Sequence, residues 1–163
     1  MAILFSTTPP YPQISLWGDL MYYVYLLTHK YCVESNEKDG DIYANTKVLG
    51  VYSRLKNARD AIDFFSGLGG FCDYKDDFYI RKMKLYGKEN SSNTVHLIEY
   101  ERFLYDDLYT YDVLGICADE QTANEMIEKA RQNSHHDEST EEYDIIEYEL
   151  DKHSEYWGEG FDS

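Results

Sequence analysis

VLGVYS, residues 48–53, recurs as VLGICA at residues 113–118. If the recurrence is a true repeat, the chain is one unit built twice; if it is chance, no architecture follows from it. Extended downstream, the match keeps register without a gap for about forty positions. It pairs Ala58 with Ala123, Ile62 with Ile127, Phe78 with Tyr143, Ile80 with Ile145 and Leu85 with Leu150. Upstream, VYLLTHKY (24–31) answers to VHLIEYER (95–102). The matches fall at alternating apolar positions in strand-like segments and on one side of helical ones, as a packed interior requires.

Each copy therefore reads as strand, strand, helix, strand. In the first, strands are expected near Tyr22–Val33, Lys47–Tyr52 and Phe78–Leu85. The helix follows Ser53, a suitable N-cap, carries Leu55, Ala58, Ala61, Ile62 and Phe65 at helical spacing, and ends at Gly67–Gly70. In the second, strands are expected near Thr94–Leu104, Tyr111–Cys117 and Tyr143–Leu150, with a helix over Glu120–Gln132. The expected fold class is α+β: two tandem ββαβ repeats forming a two-layer sandwich, with a mostly antiparallel sheet and both helices on one face. The boundaries are an N-terminal extension (1–21), a first repeat (22–86), a second repeat (94–151) and an acidic aromatic tail (152–163), with GKENSSN (87–93) as the polar hinge.

Composition narrows the function. The 163 residues carry 31 acids against 15 Lys and Arg, a formal charge of −16. Such a field repels nucleic-acid backbones and anionic membranes and attracts basic proteins. No apolar run reaches the ~18 residues a spanning helix needs, and the proline-broken N-terminus does not resemble a signal peptide. Cys32, Cys72 and Cys117 form no C-x-x-C pair, which fits a reducing cytoplasm and buried thiols.

Several short motifs carry a resemblance. In the first copy they are Tyr25, Leu27, His29 and Tyr31, then Lys47, Gly50, Tyr52 and Ser53, then Gly70, Phe71 and Asp73, then Phe78 and Ile80. In the second they are Ile145, Tyr148, Leu150 and Asp151, then Trp157, Glu159, Gly160 and Phe161. The pattern resembles an uncharacterised family of short bacterial domains of unknown function, here apparently duplicated. The resemblance implies a fold and a bacterial or phage origin, and no established activity. Neither copy keeps the whole pattern: the first lacks the Trp-Glu-Gly-Phe closure, and the second has Tyr100 and HHDEST where the family has its His and Gly-Phe-x-Asp. A family site would be assembled from His29 of one copy and Glu159 of the other, or would have been lost.

Catalytic chemistry is not legible. There is no G-x-S-x-G, H-E-x-x-H or phosphate-cradling glycine loop. His135 and His136 lie in a polar loop, and SNEKDGDIYANT (35–46) lacks the bidentate acid of a calcium loop. The expectation is therefore no enzyme, no cofactor and no metal. What stands out is tyrosine beside acid, most densely in YDDLYTYD (105–112). Strand alternation sets Tyr105, Asp107, Tyr109 and Tyr111 on one face. These four, with Tyr156, Trp157 and Glu159, are the expected binding residues. Exposed tyrosines give stiff contact area, and carboxylates steer a cationic partner.

The functional expectation is a non-enzymatic acidic inhibitor of a basic partner: a toxin's immunity protein or a phage inhibitor of a defence enzyme, in one version a DNA mimic. The protein would be a monomer or homodimer. The alternative is a small-ligand sensor or enzyme using the cleft between copies, with His29 and Tyr31 beside it.

Overall fold

The computed structural model describes residues 13–14, 20–34, 42–87, 93–105, 108–133 and 141–161. For 13–14, 20–21, 31–34, 42–45, 104–105 and 108–109 it describes the backbone only. The fold is mixed α+β, a curled sheet with two helices. The strands are β1 (Gln13–Ile14), β2 (Leu20–Glu34), β3 (Ile42–Tyr52), β4 (Phe78–Tyr86), β5 (Thr94–Tyr105), β6 (Leu108–Cys117) and β7 (Glu141–Glu149). The helices are α1 (Leu55–Phe65) and α2 (Glu120–Asn133). No helix among the described residues is long and apolar enough to cross a membrane.

Across the sheet the order is β3–β2–β4–β6–β5–β7, with β1 pairing the start of β2. Neighbours are antiparallel except β4 and β6, which meet in parallel only at Leu85↔Ile116 and Tyr86↔Cys117. The two VLG stretches decide the sheet's shape. Register slips between Leu27 and Thr28, where β3 advances from Gly50 to Val48, and again between Ile98 and Glu99, where β6 advances from Gly115 to Val113. Leu49 and Leu114 are thus the extra residues of two β-bulges, which bend a strand and tighten its twist. The sheet curls until the chain after β7 reaches the far edge: Asp151 N donates to Val51 O and Ser154 N to Leu49 O, both at 2.9 Å.

Curling buries both faces. The inner face is packed by strand residues alone, Val24, Leu26, Val48, Val51, Val95, Leu97, Val113 and Ile116. On the outer face α1 lays Ala58, Ala61 and Phe65 over Leu27, Leu49 and Phe71, while α2 lays Ala123 and Ile127 over Ile98 and Cys117. The alanines let each helix sit close to the sheet, and each fully buried Leu, Ile or Phe contributes about 1.5–3 kcal/mol.

Helix α1 does not begin as expected. Its N-cap position is Arg54, which makes no side-chain cap. The carboxylate of Asp151 accepts instead from Ser53 N (2.9 Å), Ser53 Oγ (2.6 Å) and Asn57 Nδ2 (2.8 Å). Asp151 has a φ of +62°, unusual outside glycine. In α2 the same task is done locally, where Thr122 N donates to Asp119 Oδ1 at 2.8 Å. Cys117 is buried as expected; Cys72 is exposed, because its turn leaves the sheet.

Candidate functional site

After β7 the chain forms a strap, residues 150–161, across the outer side of β3. Two glycines let it dock. Gly70 has φ +76°, and a Cβ there would lie 2.3 Å from Phe161 O; Gly160 has φ +88°, and a Cβ there would meet Gly69 O at 2.4 Å. Phe161 N donates to Gly69 O at 3.0 Å. The Phe161 ring then covers His29, centroids 5.7 Å apart, and Phe71 and Phe78 close the other sides at 4.9 Å each.

His29 is 0% exposed. Its Nε2–H donates to Tyr74 O at 3.0 Å, and its Nδ1 has no partner. Burial lowers its pKa below 6.5, against the opposing pull of the Tyr74 carbonyl and Asp77. Its cross-strand neighbour Lys47 is only 4% exposed. Lys47 Nζ sits 4.1 Å from the Phe161 centroid and 5.4 Å from that of Trp157, and burial lowers its pKa as well. The resemblance motifs thus converge: His29, Lys47, Gly70, Phe71, Phe78, Trp157 and Phe161 form one packed cluster, whose geometry is that of a structural lock.

Beyond Trp157 the strap borders a slot of about 660 Å³ where β3 and β7 diverge. Its walls are Thr46, Lys47 and Val48 on one side and Glu99, Glu101, Tyr111, Ile146, Glu147 and Tyr148 on the other, with Tyr156 and Trp157 at the lip. Register accounts for Glu99 and Glu101 in this wall, and for the two acids, Asp144 and Glu142, that continue the same face beyond the slot's lining. Val95, Leu97, Glu99 and Glu101 alternate onto the inner face of β5, and Tyr148, Ile146, Asp144 and Glu142 lie opposite them on β7. Two carboxylate pairs therefore stand face to face, Glu99 with Asp144 and Glu101 with Glu142. Among the described residues none of the four makes an ion pair.

Tyr111 Oη donates to Glu99 Oε1 at 2.7 Å. Burial pushes the Glu99 carboxyl up; the Tyr111 hydroxyl opposes this, and Asp144 and Glu101 add to it by repulsion. Burial also raises the Tyr111 and Tyr148 hydroxyls, with Glu99 reinforcing both. A second opening of about 280 Å³, between β4 and β6, shares Thr46 and Tyr111 with the slot. Its walls include Lys30 and Arg81, and Arg81 is bonded to Asp112 at 2.9 Å.

The expected binding residues divide. Tyr111, Tyr156 and Trp157 are brought together at the slot, and Glu159 is exposed on the strap nearby in sequence. Tyr111 is half-buried at the slot: the curl turns its face inward, and Glu99 accepts its hydroxyl hydrogen bond. Tyr105 and Tyr109 lie in β5 and β6, with side chains outside the described residues, as does the side chain of Tyr31 in β2; Asp107, His135 and His136 lie outside them altogether. The hairpin expected at YDDLYTYD is present, with Tyr105 opposite Leu108. His29 is not beside the cleft; the strap covers it.

Glu99, Glu101, Tyr148 and Lys47 were not singled out from sequence as site residues. The available signal was Glu99 and Glu101 continuing the inward alternation of Val95 and Leu97. Among the described residues, no group of three or more His, Cys, Asp or Glu is placed to hold a metal ion. Comparison with family models, with curated proteins and with solved structures finds no match.

Proposed function

We propose that this chain is a non-enzymatic, acidic protein-binding inhibitor that docks a basic partner on the β5–β7 wall of the slot. One observation carries the reading: four carboxylates, opposed in pairs on one face, none of them ion-paired among the described residues. Like charges directly opposite on neighbouring strands destabilise a sheet, so the fold holds them at a cost that a bound cation would relieve. The net charge of −16 adds long-range attraction for the same class of partner. Tyr156, 87% exposed at the lip, offers the stiff aromatic surface that recognition sites favour. An immunity protein to a nuclease toxin and a phage inhibitor of a defence enzyme both fit, in a reducing cytoplasm.

The frame that holds this wall reads as a duplication. Supporting it are the bulge in each VLG, the strand–strand–helix–strand order of both halves, and the two junctions between halves, β4 with β6 and the chain after β7 with β3. The resemblance to the bacterial domains of unknown function belongs to the same reading.

The test is capture from host lysate on the immobilised protein and on a Glu101→Gln/Glu142→Gln/Asp144→Asn variant. A basic protein retained by the first and lost from the second supports the proposal; equal retention by both removes the wall from it. Competition by DNA and collapse of binding at high salt would mark the mimicry version, whereas aromatic contacts persist in salt. A second reading, a small organic cation in the slot, is favoured by its volume, within the roughly 300–1,000 Å³ of ligand pockets. Under that reading the small molecule co-purifies and no protein is captured.

A further inference from the structure

Resting on the protein-binding reading, we propose that the slot receives an arginine side chain of the basic partner, with its guanidinium against Glu99 and Glu101 and its plane against the slot aromatics. Glu99 spends one oxygen on Tyr111 and leaves the other without a hydrogen bond among the described residues. Glu101 follows two residues along the same face, at roughly 6.8 Å along the strand. A planar group with five N–H donors can address both carboxylates, while an ammonium acts as a point charge. Tyr148, Tyr156 and Trp157 supply rings for stacking, and the Trp157 ring already accepts the Lys47 ammonium at 5.4 Å. Guanidinium is also the more weakly hydrated cation and enters a half-buried acid site at lower cost.

A second, independent observation points to a peptide rather than a free cation. Lys47 also lines the slot, 4% exposed, and has no hydrogen bond or ion pair among the described residues. The slot therefore holds two acids with no ion pair and, across from them, an ammonium whose partners among the described residues are the Phe161 and Trp157 rings. A peptide arginine brings both complements, its guanidinium to the acids and a backbone carbonyl to Lys47. The volume of about 660 Å³ leaves room for the side chain and its flanking backbone.

The experiment uses the full chain carrying Trp17→Phe, so that Trp157 reports alone. It is titrated with N-acetyl-Gly-Arg-Gly-amide, its lysine and citrulline counterparts, and oligolysine. Binding of the arginine peptide about tenfold tighter than the lysine and neutral citrulline peptides, with about tenfold loss in Glu99→Gln/Glu101→Gln, supports the assignment. Equal binding of the arginine and lysine peptides, or indifference to the double substitution, overturns it. If oligolysine still binds in that case, the acidic protein-binding reading stands and only the arginine slot fails. If neither the arginine peptide nor oligolysine binds, both fall. Urea unfolding of the double variant, expected at an equal or higher midpoint, separates a lost site from a lost fold.

Discussion

Asp151 tests the coupling between the halves of the molecule. Its carboxylate takes three hydrogen bonds at the start of α1, from Ser53 N, Ser53 Oγ and Asn57 Nδ2. That helix has no acid in its first turn and no cap of its own. Removing a helix cap costs about 0.5–2 kcal/mol. The site is exposed, so the charge-assisted bonds do not add their full worth to that figure. An alanine must also adopt Asp151's φ of +62°, which adds about 1 kcal/mol. Asp151→Ala should therefore cost about 1.5–3 kcal/mol. Asp151→Gly, which loses the cap but relaxes the backbone, should cost about 1–2. Asp151→Asn, which tolerates this backbone and keeps one acceptor oxygen, should cost about 0.5–1.

The assay is urea unfolding followed by far-ultraviolet circular dichroism. At an m of roughly 2 kcal/mol/M, Asp151→Ala moves the midpoint down by about 1 M. Amide exchange should quicken through α1 and not through α2, whose cap is Asp119. The ranking carries the reasoning. Glycine as damaging as alanine would refute the backbone argument. Asparagine as damaging as alanine would mean the neutral side chain keeps none of the cap. An alanine variant equal to the parent would show that α1 needs no cap from the far half.

Three further outcomes follow from the same contacts. Gly70→Ala drives a Cβ into Phe161 O and forces a strained φ; the strap should lift, at a cost of about 2 kcal/mol or more, seen as faster proteolysis near Trp157 and altered Trp157 emission. His29 is a base whose pKa is lower in the fold, so the unfolded chain takes up its proton first as pH falls. Stability from this group is full above about pH 6.5 and lost below it; His29→Phe should flatten that limb of the stability curve, leaving the share from His153, which burial also lowers. Glu99 is an acid whose pKa is raised in the fold, so its charge opposes folding at neutral pH. Glu99→Gln should stabilise by about 0.5–1 kcal/mol at pH 7 and by nothing once pH falls below the ordinary carboxyl value.

The architecture was legible where packing alone dictates residue type. Ala58, Ala61 and Phe65 had to share a helical face, and Val95 and Leu97 a strand face, because only burial explains that spacing; all five are buried. The curl was not legible. It depends on two bulges, and an extra Leu at 49 or 114 looks from sequence like any other strand residue. Without the curl, the alternation of YDDLYTYD sets Tyr111 on an outer surface; with it, the same alternation points Tyr111 inward to Glu99. The cap of α1 was hidden for a related reason: Ser53 has the right identity for an N-cap, but its hydroxyl serves an acid 98 residues away.

The two halves also show what in the slot the fold does not require. Aligned by VYLLTHKY and VHLIEYER, Val24 answers to Val95 and Leu26 to Leu97; aligned by the VLG stretches, Val48 answers to Val113. All six are buried in the inner core, so packing demands the same residues in both halves. One step further along the same strands the demand lapses. Thr28 and Lys30 stand where the second half has Glu99 and Glu101, Thr46 where it has Tyr111, and Met83 where it has Tyr148. The first half reaches the same strand order and the same bulge without an acid at these positions. Glu99 and Glu101 are therefore not required by the strand order or the bulge, whereas Glu142 has an acid, Asp77, at the matching position. Opposed by Asp144 and Glu142 at a cost of about 0.2–1 kcal/mol for each pair, Glu99 and Glu101 line the slot at positions that the strand pairing leaves free to vary.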